Sequence, residues 1–196
     1  MNLRKTLPAL CALLLLPTAA ARGALTLNVR VEPLCPGETS FLEVFFTEIG
    51  PTENEELVAY SVGLDLIGGS GITFGPAPLL REPVDHPFVF APGTPIDDTG
   101  SGPTRIRSSA AILTAPVDIT NNAGVLRVPI TARDNLIGVG VIAFNLTGGL
   151  TEFSDDIGNV IEFVPVSGRI TFCPEPSAAC LMGLGAVAAP AWRRRQ

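Results

Sequence analysis

The chain carries one histidine, four cysteines and nineteen acidic side chains among 196 residues, and their spacing limits the chemistry open to them. Nucleophilic catalysis needs a base beside the nucleophile and a third group to orient that base. His86 follows Asp85 and precedes Pro87, in a stretch rich in Pro and Gly. Sequence neighbours rarely reach the geometry of a base and its orienter, so a solvated loop histidine is expected. Glycoside hydrolysis needs two carboxylates flanking a bond. Glu53, Glu55 and Glu56 cluster in a polar turn ahead of a strand, where a solvated surface is expected. Calcium needs several converging oxygens. Asp97-Asp98 and Asp155-Asp156-Ile157-Gly158-Asn159 offer short acidic loops, without EF-hand or nonapeptide spacing. Asp155, Asp156 and Asn159 are thus weak calcium candidates, and an Asx-rich turn is the plainer reading. No catalytic residue, metal centre or cofactor is assigned, and the chain is not expected to be an enzyme.

Binding by stacking on sugars is poorly supplied. Between Leu25 and Cys173 there is no tryptophan and one tyrosine, Tyr60, on the apolar face of its strand. The same stretch holds seven arginines, no lysine and eighteen acidic residues, a net of 7 − 18 = −11. A surface this acidic excludes a general nucleic-acid binder. It repels anionic polysaccharide at low salt, unless divalent cations bridge the two.

The elements that must hold these residues read as strands. Leu25, Leu27, Val29 and Val31 alternate with Thr26, Asn28, Arg30 and Glu32. Val58, Tyr60, Val62, Leu64 and Leu66 alternate with Ala59, Ser61, Gly63 and Asp65, and Leu126 to Ala132 repeats the pattern. Period two marks strands with one face on a core. Further candidates are Phe41 to Ile49, Gly71 to Phe74, Phe88 to Phe90, Arg105 to Leu113, Val139 to Leu146, Ile161 to Val166 and Arg169 to Phe172. Pro36-Gly37, Gly68-Gly69, Asn121-Asn122, Gly148-Gly149 and Gly158-Asn159 break them apart. Pro76 to Pro103 reads as a long surface excursion. About nine strands in this space predict an all-β, two-sheet antiparallel β-sandwich or jelly roll.

Both ends look like processing segments. Arg4 and Lys5, then the apolar run Leu7 to Leu16, then Ala19-Ala20-Ala21, fit a signal peptide over residues 1–24. At the other end Pro174-Glu175-Pro176 precedes sixteen uncharged residues, Ser177 to Trp192, and the cluster Arg193-Arg194-Arg195. Sixteen helical residues span about 24 Å, short of a ~30 Å bilayer core. Three arginines would hold the tail on the cytoplasmic side. This three-part order resembles the PEP-CTERM sorting signal of bacterial exopolysaccharide-associated proteins, which an exosortase, a membrane enzyme, is thought to process. An ordinary tail anchor is the alternative.

The resemblance implies a division into 1–24 signal peptide, 25–173 sandwich and 174–196 sorting signal. It implies an exported protein, held transiently in the inner membrane by its C-terminal helix. From there it would pass to the periplasm, outer surface or extracellular matrix, with exopolysaccharide or another envelope protein as a further partner.

The order of features between Leu25 and Phe172 also resembles cohesin-like sandwiches related to carbohydrate-binding modules. An alternating strand leads to Pro36-Gly37-Glu38, a long central strand follows, and Phe153-Ser154-Asp155-Asp156-Ile157-Gly158-Asn159 precedes the last strands. In such folds the first and last strands run parallel as neighbours. Cys11 would leave with the signal peptide and Cys180 lies in the apolar helix, so Cys35 and Cys173 remain. The resemblance places both at one edge and implies a Cys35–Cys173 disulfide; two unpaired thiols are the alternative. The functional expectation is a structural or adhesive envelope protein, with a carbohydrate- or protein-binding module of the cohesin type as the alternative.

Overall fold

The computed structural model describes residues 25–47, 56–68, 71–75, 79–134, 140–146 and 149–173. The signal and membrane helices expected at the two ends, with Pro174-Glu175-Pro176 and Arg193-Arg194-Arg195, lie outside these residues. So do Glu53 and Glu55.

Twelve strands form among the described residues: β1 (Leu25–Val31), β2 (Thr39–Thr47), β3 (Glu56–Leu57), β4 (Ala59–Ile67), β5 (Ile72–Phe74), β6 (Arg105–Ala111), β7 (Val117–Asp118), β8 (Gly124–Ala132), β9 (Val141–Phe144), β10 (Glu152–Ser154), β11 (Phe163–Val166) and β12 (Gly168–Arg169). The expected nine grow to twelve because β3, β7 and β10 are two or three residues long, too short for alternation to show.

The first sheet runs β11-β1-β2-β8-β5. The second is built on β4, with β6 along one edge; β10 pairs with Ala59–Ser61 and β9 with Leu64–Ile67, and β12 follows β9. Strands β3 and β7 make a separate small pair. Strand pairing is antiparallel except where the ends meet, for β1 runs parallel to β11 and Leu34 bridges Phe172 in the same sense; the isolated bridge of Phe88 to Gly124 is parallel too.

Alternation explains the core between the sheets. Leu25 and Leu27 of β1, Leu42, Val44 and Phe46 of β2, Tyr60, Val62 and Leu64 of β4, and Leu126, Val128 and Ile130 of β8 are all buried. Phe153 meets Phe46 edge-on at 4.9 Å and Phe163 at 5.1 Å, tying β10, β2 and β11 together.

Phe88 to Phe90 departs from expectation. It forms no strand. Phe88 makes an isolated bridge to Gly124, while Val89 and Phe90 sink into the core. A three-residue apolar run is consistent with a strand or with an anchor, and here it pins the long excursion to β8.

Candidate functional site

The outer face of the second sheet carries a regular row of outward side chains. Because Tyr60, Val62 and Leu64 point inward, their neighbours point out. Across β4 and β6 the outward pairs are Ala59 with Ala111, Ser61 with Ser109, Gly63 with Arg107 and Asp65 with Arg105. Strand β10 adds Ser154 beside Ala59 and Glu152 beside Ser61. At one end the side chains are small and no aromatic ring stands among them. At the other, Arg105 Nε lies 3.1 Å and Arg107 Nη2 3.5 Å from Asp65 Oδ1.

A neighbouring segment lies close over this surface at Gly63. Thr151 Oγ1 accepts from the Gly63 amide at 3.0 Å and donates to the Asn145 carbonyl at 3.0 Å. This clips the crossing from β9 to β10 onto β4. A Cβ on Gly63 would lie 2.9 Å from the Leu150 carbonyl oxygen and 3.1 Å from Arg107 Nη1. Only hydrogen lets that backbone and the Arg107 side chain close over the strand.

Beyond β6, residues 95–97 continue the sheet edge. The Asp97 and Ser109 amides each donate to the other's carbonyl, at 2.8 and 2.9 Å. Where the segment diverges, an open apolar cavity of about 420 Å³ forms against Ala59, Tyr60, Pro95, Ile96, Ala110 and Ala111. Asp97 takes up its own loop: the Thr99 hydroxyl and amide donate to Oδ1 at 2.6 and 3.0 Å and hold its carboxyl below the usual value.

Tyr60 crosses the core. Its hydroxyl donates to the Val125 carbonyl of β8 at 3.2 Å. Burial pushes its pKa up to about 12, against a smaller opposing effect of the Ser108 hydroxyl.

The weak calcium candidates form a turn that satisfies itself. Asp155 Oδ1 accepts from the Ile157 and Asn159 amides at 3.1 and 2.6 Å, and Oδ2 accepts from Asn159 Nδ2 at 2.9 Å. Desolvation raises the Asp155 pKa, but these donors outweigh it and hold the carboxyl below its ordinary value. Asp156 makes no part of this ring. Among the described residues no group of three or more His, Cys, Asp and Glu side chains is placed to hold a metal.

His86 corrects its expectation. It is not a solvated loop residue, for its side chain is only 11% exposed. The ring stacks on Phe45 at 3.9 Å and faces Glu43. Glu43 was not anticipated, although a carboxylate inside Phe41-Leu42-Glu43-Val44-Phe45-Phe46 was the available signal. The cysteines meet as the resemblance implied. Cys35 and Cys173 form a disulfide with Cα atoms 4.8 Å apart, across 138 residues of sequence.

No family model and no curated protein matches the sequence. Solved structures do match in fold. A CaDoc0917–CaCohA2 complex is similar over 76% of this chain and 100% of that one, at 14% identity and a TM-score of 0.57. A cohesin module from a Clostridium perfringens family 33 glycoside hydrolase covers 76% and 97%, at 9% identity and 0.55. The sixth cohesin of Acetivibrio cellulolyticus scaffoldin B, in complex with a Cel5 dockerin, covers 76% and 99%, at 10% identity and 0.53. At such identities the likeness is one of fold, and the fold is a cohesin-like β-sandwich.

Proposed function

We propose that this chain is a non-catalytic protein-binding module that docks a partner on the outer face of β6, β4 and β10. The observation that carries the reading is the contrast between the two sheets. The first sheet's outer face is strapped by residues 82–87, which bury Glu43. On the second, Leu150 and Thr151 lie only over Gly63 and beside Ser61, and the strip of Ala59, Ser109 and Ala111 stands clear of them. Small residues on a flat sheet let a partner backbone approach closely. The apolar cavity beside Ala59 and Ile96 offers a seat for one anchoring side chain, the usual centre of a protein interface. Without an aromatic platform the face suits a protein better than a sugar. Two of the structural neighbours above are themselves in complexes with dockerin or Doc partners, which supports the same reading.

We further infer that the module is exported and passed to an exosortase-type enzyme at the membrane, for the cell envelope or extracellular matrix. The Pro174-Glu175-Pro176 motif, the apolar stretch and Arg193-Arg194-Arg195 support this. So does the disulfide, since such bonds persist in oxidising compartments.

Affinity capture from the native host's envelope fraction tests the docking role. Wild type should retain a protein that Ser109→Arg releases, because Ser109 stands on the strip clear of the crossing. Thr131→Arg, on the first sheet, should retain it. Equal capture by Ser109→Arg and wild type would overturn the assignment.

A further inference from the structure

The first sheet's outer face holds a buried carboxylate that the docking role does not use. Glu43 points away from the core, yet it is only 5% exposed. Residues 82–87 fold over it. The Val84 and Asp85 amides donate to Glu43 Oε1 at 2.8 and 3.4 Å, and Arg127 Nε lies 3.4 Å from the same oxygen. Pro83 sits so close to β8 that a Cβ on Gly124 would lie 2.6 Å from its ring.

Glu43 Oε2 is different. It is buried and has no hydrogen-bond partner, and neither has His86 Nε2, which faces it at 4.0 Å. The His86 ring is held in place by its stack on Phe45, with the planes 11° apart. Two buried, unpaired atoms of complementary chemistry therefore face each other between loop and sheet. Leaving both unpaired is costly, and a charge-assisted hydrogen bond would satisfy both.

The charged surroundings favour that bond when His86 carries a proton. Strand β1 contributes Arg30, 3.3 Å from Asp85, and the stretch after it Glu32, 3.9 Å from Arg127. Strand β2 contributes Glu43 and β8 contributes Arg127. From the loop come Asp85 and Glu82, the latter turned away to accept from the Gly93 amide. With Arg81, whose backbone pairs with Arg127, four carboxylates (Glu32, Glu43, Glu82, Asp85) stand against three guanidinium groups (Arg30, Arg81, Arg127), and a protonated His86 evens the count. Imidazole is the ordinary side chain whose charge changes between about pH 8 and 5.5, and this chain has only one.

We propose that residues 82–87 form an acid-tightened latch, fastened to the first sheet by a His86–Glu43 bond that strengthens when His86 is protonated. The latch is independent of what the second sheet binds. The test is backbone amide exchange at Val84 and Asp85 in the full chain from pH 8 to 5.5, corrected for intrinsic rates and referenced to Leu64. In wild type, protection should rise at least about threefold on acidification, as expected for a new charge-assisted bond. In His86→Phe, which keeps a ring on Phe45, it should stay level. Should that variant not fold, His86→Gln serves the same arm. A level or falling wild-type profile overturns the latch, and so does a rise that survives the loss of His86.

Discussion

Tyr60 is the residue whose chemistry can be read most cleanly. It is the only tyrosine, residues 25–173 contain no lysine, and the two cysteines described are bonded to each other. Few groups therefore titrate between pH 9 and 12. In the folded chain its pKa is raised to about 12, while in the unfolded chain it returns to about 10. A raised folded-state pKa gives stability that is full below the unfolded value and is lost as pH climbs through the folded one. Wild type should therefore lose about 2 kcal/mol between pH 10 and 12, by linkage at about 1.36 kcal/mol per pKa unit. Tyr60→Phe should cost about 1 kcal/mol at neutral pH, through the lost bond to Val125, and then show a flatter profile. Urea unfolding at both pH values checks each part. The sequence put Tyr60 correctly on an apolar face, because alternation reports direction. It gave no warning that the hydroxyl would reach the opposite sheet. His86 shows the converse: its neighbours Asp85 and Pro87 read as loop, and only the fold brings Phe45 and Glu43 beneath it.

At the scale of elements, strands with one wet face were legible and strands made by context were not. β1, β4 and β8 alternate cleanly because each has one face on the core. β10 is three residues long and exists because β9 leaves half of one β4 edge unpaired. The docking strip was legible only as the polar side of a strand. Its openness depends on which loops cross which sheet, and that is a long-range property. Gly63 makes the element-scale prediction. Gly63→Val should force Leu150 and Arg107 away from β4, at a cost of about 2–3 kcal/mol by overpacking. Exchange should rise first at Thr151 to Ser154, seen by amide exchange. Loss spread evenly over the whole sandwich would mean the crossing is not clipped there.

At the scale of the whole molecule, the disulfide locks the parallel meeting of the two ends, β1 with β11 and Leu34 with Phe172. Cys173 immediately precedes Pro174-Glu175-Pro176, so under the proposed sorting role force on the tail would pass through the sulfur bridge to Cys35 rather than peel away β12. Cys35→Ser with Cys173→Ser should cost about 2–5 kcal/mol, equivalent to about 10 °C in Tm, and leave the fold intact. Calorimetry of the double variant against wild type checks this; an unchanged Tm would mean the closed loop adds nothing. Glu175→Ala, or loss of Arg193 to Arg195, should trap or mislocalise the chain in its host, and fractionation would show it; unchanged extracellular yield in both variants would refute the sorting reading. The expected signals at the two ends lie outside the described residues, and the pairing of the cysteines was legible because the resemblance supplied topology. What the chain holds was not legible, since a flat face of small residues has no sequence motif. The most direct test of the docking claim is therefore cross-linking on that face. A photoreactive amino acid at Ser109, in the native host, should capture one defined protein, and the same group at Thr131 should not. Capture of the same proteins from both positions, or of none from Ser109, would contradict it.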